Sequence, residues 1–171
     1  MNRRLRRIER IRAELLDDLS RRPPDTLCVS PAPGVWSVLE IVEHLVLAEE
    51  EVLAGIDRPE TLEARPRTVR NRISYLLVLL VLAFRIPVRV PSRAMSPRGE
   101  RTLAQLRADW ERRHGLLRAY VEKIAPNERS RPVFVHPVSG PITLPQALRL
   151  LEVHLRLHRS QITQRLRAAA T

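Results

Sequence analysis

Prolines divide this sequence into five long stretches, and that division constrains the fold more than any other feature. A proline inside a helix removes a hydrogen bond and clashes with the preceding turn, so prolines indicate where helices end. The 14 prolines cluster in four groups. The stretches left for helices are approximately 1–22, 36–57, 67–85, 100–125 and 143–168. None of them alternates apolar with polar residues as a strand does, so we predict an all-α protein.

Two of the predicted helices begin with a capping signature. Ser37 and Glu40 fit the S-x-x-E capping box, in which each side chain bonds the backbone N–H of the other residue. Thr143 and Gln146 fit the same pattern at the last helix. Before that helix, residues 133–135 are predicted to form a short extended piece that leads into a turn and does not form a sheet.

Length and composition favour one domain over residues 1–171 with its own core. Hydrophobic residues make up 44% of the chain and glycines number five, which argues against a disordered chain and a glycine-rich β-barrel. The single cysteine, Cys28, excludes an internal disulfide framework and a multi-cysteine metal site. The N-terminus is charged throughout and lacks the pattern of a secretory signal, so we expect a cytoplasmic protein.

Residues 73–84 form a run that is apolar on nearly all sides and lies between Arg72 and Arg85. A transmembrane helix needs about 20 apolar residues, so this run is too short to span a bilayer. Three interpretations remain: burial in the bundle, burial against a second subunit, or contact with a membrane surface through the flanking arginines. We favour burial or a dimer interface, because an exposed patch of this size promotes aggregation.

Three histidines occupy comparable positions on two predicted helices. His154 and His158 are four residues apart and therefore lie one turn apart on the same side of the last helix. They border its apolar stripe, which consists of Leu144, Leu148, Leu151, Leu155, Ile162 and Leu166. His44 borders the apolar stripe of the second predicted helix, whose other face is lined by Glu40, Glu43, Glu50 and Glu51.

If these two helices are neighbours, three neutral imidazoles could converge on one divalent metal. Three protein ligands leave coordination positions open for water or substrate, which is the arrangement of a catalytic site. Two histidines four apart also occur by chance on ordinary helices, so the residues alone leave open a bundle that binds no metal.

Other polar residues are weaker candidates for a role in the metal site. Glu51 lies seven residues after His44 on the same side and is a candidate base or fourth ligand, and Gln161 could orient a ligand; a solvated or structural role is the simpler alternative for both. His136 could support a turn through a hydrogen bond or lie behind the metal ligands. His114, in an arginine- and glutamate-rich segment, is predicted to be a solvated surface residue.

Three segments together resemble the DinB-like family of candidate metalloenzymes. Residues 36–45 are similar to the family's W-S-x-x-E-x-x-x-H-L opening of its second helix. Residues 136–143 resemble its H-P-x-x-G-x-x-T approach to the last helix, and residues 154–162 resemble its H-x-x-x-H-x-x-Q-I close. The resemblance implies an antiparallel four-helix bundle with an additional hydrophobic helix, often as a dimer.

The resemblance also implies one divalent metal, with zinc or nickel as the usual ions, held by the equivalents of His44, His154 and His158. Relatives include transferases and isomerases that use low-molecular-weight thiols. We therefore expect a metal-dependent thiol transferase or hydrolase that acts on a small molecule as a homodimer. Its metal would lower the pKa of a bound thiol or water.

The alternative is a basic helical protein that binds anionic surfaces without catalysis. The chain has 30 Lys+Arg against 19 Asp+Glu and a formal net charge of +11, and residues 65–101 hold nine arginines and one acid. Such a segment could contact phosphates or anionic lipid head groups. The sequence has no zinc finger, no RNA-recognition aromatics and no clear helix-turn-helix, so peripheral membrane contact is favoured over specific nucleic-acid binding.

Overall fold

The computed structural model describes residues 3–57, 68–86 and 93–168. In these ranges the chain is mainly helical, as predicted, and the long helices coincide with the stretches left by the prolines. The elements are α1 (Arg3–Ser20), α2 (Pro24–Cys28), α3 (Val38–Ile56), α4 (Val69–Ala83), α5 (Leu103–Lys123), α6 (Leu144–Ala168), β1 (Pro132–His136) and β2 (Gly140–Thr143), with 3-10 turns at Arg93–Met95 and Pro126–Glu128.

Four of these helices form a bundle. α3 packs against α5 and α6, and α1 packs against the same two helices, so the four helices enclose one core. Each contributes fully buried apolar side chains, among them Leu5, Ile41, Leu106, Trp110 and Leu148. α4 lies outside this arrangement, against α6 and β2. The predicted four-helix bundle with an additional hydrophobic helix is therefore confirmed.

The predicted cap of α3 is present with both of its hydrogen bonds. The Ser37 N–H donates to Glu40 Oε2 at 2.7 Å, and the Glu40 N–H donates to Ser37 Oγ at 3.2 Å. At the start of α6 the Thr143 N–H donates to Gln146 Oε1 at 3.0 Å, as its capping pattern indicates. Further capping boxes begin α4 and α5. These caps satisfy backbone donors that the first turn of a helix leaves without partners.

Residues 132–143 form an antiparallel hairpin, so the prediction of a turn without a sheet is wrong. Phe134 pairs with Ile142 and His136 pairs with Gly140, whose positive φ of 70° suits glycine at the turn. β1 packs on α3, and the adjacent Val133 and Phe134 are both buried. This double burial hides the apolar–polar alternation by which short strands are recognised.

His114 is buried, so the prediction of a solvated residue is wrong. Its Nδ1 lies 2.8 Å from Glu49 Oε1, and Trp110 Nε1 donates to Glu49 Oε2 at 2.9 Å. His114 comes four residues after Trp110 and three before Leu117, and both of these are core residues. This spacing places it on the inner face of α5, which the many charged neighbours obscured.

Glu152 connects α1 to α6 through a cluster of charges inside the α1–α6 interface. The carboxylate is only 4% exposed, and it accepts hydrogen bonds from Arg4, Arg7 and Arg156 at 2.8 to 3.0 Å. Three of the arginines that produce the high net charge are therefore partners of one buried acid, although their own side chains are partly or largely exposed. Some of the arginines of this basic chain therefore serve to hold α1 and α6 together.

The outer helix α4 uses only one side for packing within this chain. Tyr75 and Leu79 are buried, Tyr75 Oη donates to the Gln146 carbonyl at 3.1 Å, and Asn71 Nδ2 donates to the Ser139 carbonyl at 3.0 Å. The rest of its apolar run is largely exposed, so burial within the chain does not account for it. Within the described ranges, no helix is long and apolar enough to cross a membrane.

Two glycines in helices provide a test of how tightly α3 packs on the hairpin. A Cβ at Gly55 would lie 2.6 Å from the Val133 carbonyl oxygen and 3.0 Å from Phe134 Cα. We expect Gly55→Ala to reduce the free energy of unfolding by about 1–3 kcal/mol, because this backbone contact must shift. The measurement is urea unfolding followed by circular dichroism.

The matched control is Gly115→Ala in α5, where an added Cβ meets nothing within 4 Å. That substitution should raise the free energy of unfolding by about 0.5–1 kcal/mol through helix propensity alone. A Gly55→Ala protein as stable as the wild type would contradict the close packing of α3 on β1.

Candidate metal centre

Three histidine side chains meet where α3 faces α6. His44 Nε2 lies 3.0 Å from His154 Nε2, which in turn lies 2.9 Å from His158 Nε2. One ring nitrogen from each residue lies within 4.8 Å of the other two. Across the part of the chain that the structure describes, these residues are the group of His, Cys, Asp and Glu side chains that could hold a metal ion. The predicted convergence of the three histidines is therefore present.

Hydrogen bonds behind the rings fix the tautomers of two of these histidines. His44 Nδ1 lies 2.7 Å from the Met95 carbonyl oxygen, and His158 Nδ1 lies 2.8 Å from Gln161 Oε1. The Met95 carbonyl can only accept, so His44 Nδ1 carries the hydrogen and His44 Nε2 presents a lone pair. With Gln161 Oε1 turned toward the ring, His158 takes the same tautomer. His154 Nε2 stands between these two lone pairs and can donate a hydrogen to only one of them. A cation is the group that satisfies all three nitrogens at once.

Burial keeps these imidazoles neutral. It lowers the pKa of His44, although the hydrogen bond to Met95 acts in the opposite direction. The pKa of His158 falls to about 4, chiefly through burial and secondly through His44. The pKa of His154 falls well below its ordinary value through burial, and the nearby His158, His44 and His136 add to the effect. Neutral imidazole is the form that binds a metal.

The donor set and its dimensions fit a divalent transition metal. Two nitrogens bound to one tetrahedral zinc are roughly 3.3 Å apart, because each Zn–N bond is about 2.0–2.1 Å long. Two of the three Nε2 separations, at 2.9 and 3.0 Å, are within a few tenths of an ångström of this distance, and all three ligand atoms lie within 4.8 Å of one another. Imidazole donors without thiolates suit zinc, nickel, copper and iron. Three ligands also leave positions for water or substrate.

Glu43 helps to position His44 through the segment after the 3-10 turn. The sequence places Glu43 on the face of α3 opposite its apolar stripe. In the structure the side chain is buried and accepts hydrogen bonds from the backbone N–H groups of Arg98 and Gly99 at 3.1 and 2.9 Å. The Met95 carbonyl that orients His44 is at the end of the 3-10 turn, three residues before Arg98. The sequence carries no signal of this contact, because the donors are backbone groups.

The remaining predicted site residues take different positions. Gln161 contacts His158 directly, as described above. His136 Nδ1 accepts hydrogen bonds from the N–H groups of Val138 and Ser139 at 3.2 and 3.1 Å, so it supports the hairpin turn. Glu51 is half-buried and does not belong to the histidine group. Its assignment as base or fourth ligand stays a prediction without a supporting contact.

An aromatic ring and a cation lie beside the histidines. The Trp36 ring centroid is 4.9 Å from that of His44, and an Arg165 nitrogen donates to the Trp36 carbonyl. Arg165 is close enough to His158 for its charge to add to the lowering of that histidine's pKa, after burial and His44. Trp36 and Arg165 are therefore the aromatic and the positively charged neighbours of the triad.

Fold and site define a four-helix bundle with a histidine triad between two neighbouring helices, in which His44 and His158 are buried and His154 is half-buried. A sequence profile of the DinB superfamily matches residues 7–162. The chain therefore belongs to the DinB superfamily, as the resemblance of its motifs indicated. A comparison with curated proteins finds no significant match.

Among solved structures, YfiT from Bacillus subtilis is similar to this chain. The two align with a TM-score of 0.53 and 22% sequence identity over 96% of this chain and 85% of YfiT. YfiT is described as "a probable metal-dependent hydrolase with an unusual four-helix bundle topology". At this level of identity the similarity establishes the fold.

The buried histidines predict a pH dependence for the metal-free protein. Burial lowers the pKa of His136 from 6.5 to about 4, and that of His158 also falls to about 4. Between pH 6.5 and about pH 4 these histidines bind protons in the unfolded chain but not in the folded one, so the free energy of unfolding decreases as the pH drops. From pH 7 to pH 5 we expect a loss of up to about 2 kcal/mol for each of these histidines, measured by urea unfolding.

The control is His136→Asn, which keeps an acceptor for the turn but does not titrate. Its loss of stability between the same two pH values should be smaller than that of the wild type. Equal stability of the wild type at both values would show that these histidines do not stay neutral on folding.

Proposed function

We propose that this chain is a metal-dependent enzyme acting on small molecules, with one divalent metal held by His44, His154 and His158. The observation that carries the proposal is the convergence of one ring nitrogen from each histidine, with His154 Nε2 3.0 Å from His44 Nε2 and 2.9 Å from His158 Nε2. Membership of a superfamily that includes a described metal-dependent relative adds support. Zinc and nickel are the proposed ions, since both accept imidazole ligands.

Such a metal, when bound, supplies a Lewis acid that lowers the pKa of water or a thiol. The chain's own residues perform the other tasks. The Met95 carbonyl and Gln161 hold two of the rings in the ligating tautomer, and burial keeps all three rings neutral. Trp36 and Arg165 are proposed to contact the substrate beside the histidines, through an apolar face and a positive charge.

Two reaction classes fit this site: hydrolysis, and transfer to or from a low-molecular-weight thiol. The description of YfiT as a probable metal-dependent hydrolase favours hydrolysis, whereas thiol chemistry is what the resemblance to the DinB-like family implies through other relatives. The two are separated by assaying the metal-loaded protein for hydrolysis of small esters and amides, and for conjugation of monochlorobimane to small thiols. A homodimer and a cytoplasmic location also stay predictions of the sequence.

The metal proposal is tested by titrating zinc and nickel into protein purified without a histidine tag and dialysed against chelator. One equivalent should bind to the wild type. His44→Ala and His158→Ala should each weaken binding by at least about 100-fold, because two ligands remain. Isothermal titration calorimetry and elemental analysis give the affinity and the stoichiometry.

The matched control for these variants is His136→Asn, which removes a nearby histidine outside the triad. It should retain one equivalent of metal. A wild type that binds neither ion, or triad variants that bind as tightly as the wild type, would refute the proposed centre.

Gln161 provides a finer test of the arrangement behind the ligands. Gln161→Leu removes the acceptor of the His158 Nδ1 hydrogen, so that ring is free to rotate or to change tautomer. We expect metal affinity to fall by about 10–100-fold with little change in the melting temperature of the metal-free protein. Gln161→Glu should restore affinity, since a carboxylate accepts the same hydrogen. Equal affinity in all three proteins would assign Gln161 no part in positioning His158.

A further inference from the structure

The outer helix α4 carries an apolar stripe that nothing in the described part of the chain covers. Its members follow the spacing i, i+3, i+4, i+7 and i+11 and are all exposed by between 50% and 74%: Ile73, Leu76, Leu77, Leu80 and Phe84. They therefore share one face of the helix, opposite the buried Tyr75 and Leu79. Contiguous exposed apolar surface of this extent marks an interaction site.

The stripe is held firmly in place. The inner side of α4 packs on α6 and β2, and two hydrogen bonds tie it there, from Asn71 to the Ser139 carbonyl and from Tyr75 to the Gln146 carbonyl. Helix α4 also has a complete capping box at its start, formed by Thr68 and Asn71. The exposed stripe is thus a fixed surface of the folded protein.

Positively charged side chains lie at both ends of this stripe. Arg70 and Arg72 lie in the first turns of α4, and Arg85 follows its last turn; Arg70, Arg72 and Arg85 are all exposed. From Thr68 to Ile86 the sequence contains no aspartate or glutamate. The partner of this face must therefore combine apolar surface with negative charge.

Pairing α4 with the α4 of a second copy does not offer that combination. In a two-fold pairing of α4 with itself, parallel or antiparallel, arginines meet arginines at each end and no carboxylate of the helix lies between them. A bilayer containing anionic lipids offers acyl chains to the stripe and phosphates to the guanidinium groups. We infer that α4 docks the protein on an anionic membrane surface, with the helix lying in the plane of the interface.

The inference is tested by sedimenting the full chain with vesicles of phosphatidylcholine alone and of equal parts phosphatidylcholine and phosphatidylglycerol, over a salt series. Binding should be strongest to the anionic vesicles and should weaken as salt rises. Leu77→Glu should weaken binding by about tenfold or more, because it places a carboxylate in the apolar face. Arg70→Gln and Arg72→Gln should each weaken it by about fivefold.

Two control proteins separate the stripe from general surface effects. Leu116 on α5 is as exposed as Leu77, at 55% against 56%, so Leu116→Glu should bind like the wild type. The double variant Arg129→Gln/Arg131→Gln removes two exposed arginines elsewhere and should bind like the wild type as well. All substituted side chains are exposed, and unchanged melting temperatures confirm that the variants are folded.

Three outcomes would overturn the inference. The first is no binding to anionic vesicles at low salt, or binding that Leu77→Glu leaves unchanged. The second is a wild-type dimer in analytical ultracentrifugation that Leu77→Glu dissociates while vesicle binding is absent, which would assign the stripe to self-association. The third is binding of duplex DNA that competes fully with vesicles and that Leu77→Glu leaves unchanged. That result would mean that the arginines bind phosphate groups without a contribution from the apolar stripe. Each experiment runs on metal-free protein and is therefore independent of the proposed enzymatic function.

Discussion

The contact between α3 and α6 determines most of what this protein can do. It brings one imidazole from α3 against two from α6. Burial there lowers the pKa of the rings and so disfavours their protonated form. His44 and His158 both direct Nε2 at His154 Nε2, which can donate a hydrogen to only one of them, so one contact is unfavourable without a shared cation or proton. The geometry of the histidine triad thus follows from ordinary helix packing together with two hydrogen bonds, at Met95 and Gln161.

Buried carboxylates fix how the other elements sit around this contact. Glu43 holds the segment around Gly99 on α3, Glu49 joins α3 to α5 through Trp110 and His114, and Glu152 joins α6 to α1. A buried carboxylate is costly unless donors from its neighbours satisfy it, so each one disfavours arrangements in which its partners are displaced. We see these acids as a reason why the helices meet in one register and the histidines meet in one arrangement.

The sequence predicts the elements that depend on local rules and fails where a residue's role depends on a distant partner. Proline positions and capping boxes are local, and they predicted the long helices and the start of α3. The spacing of His154 and His158 is also local, and the motif around His44 connected it with them. Glu43 and His114 resemble solvated charges in the sequence, because only the fold brings the backbone of Gly99 or the carboxylate of Glu49 to them. The hairpin was missed for a related reason, since α3 covers side chains of β1 that a free hairpin would expose.

The position of α4 outside the bundle has a consequence for how proteins of this kind can diverge. Only a few of its side chains contribute to the core, and none of them belongs to the histidine triad. Substitutions on its outer face can therefore accumulate with little cost to folding or to the chemistry of the triad. The surface that we propose for membrane docking and the histidine triad that we propose for metal binding can therefore change independently in this architecture.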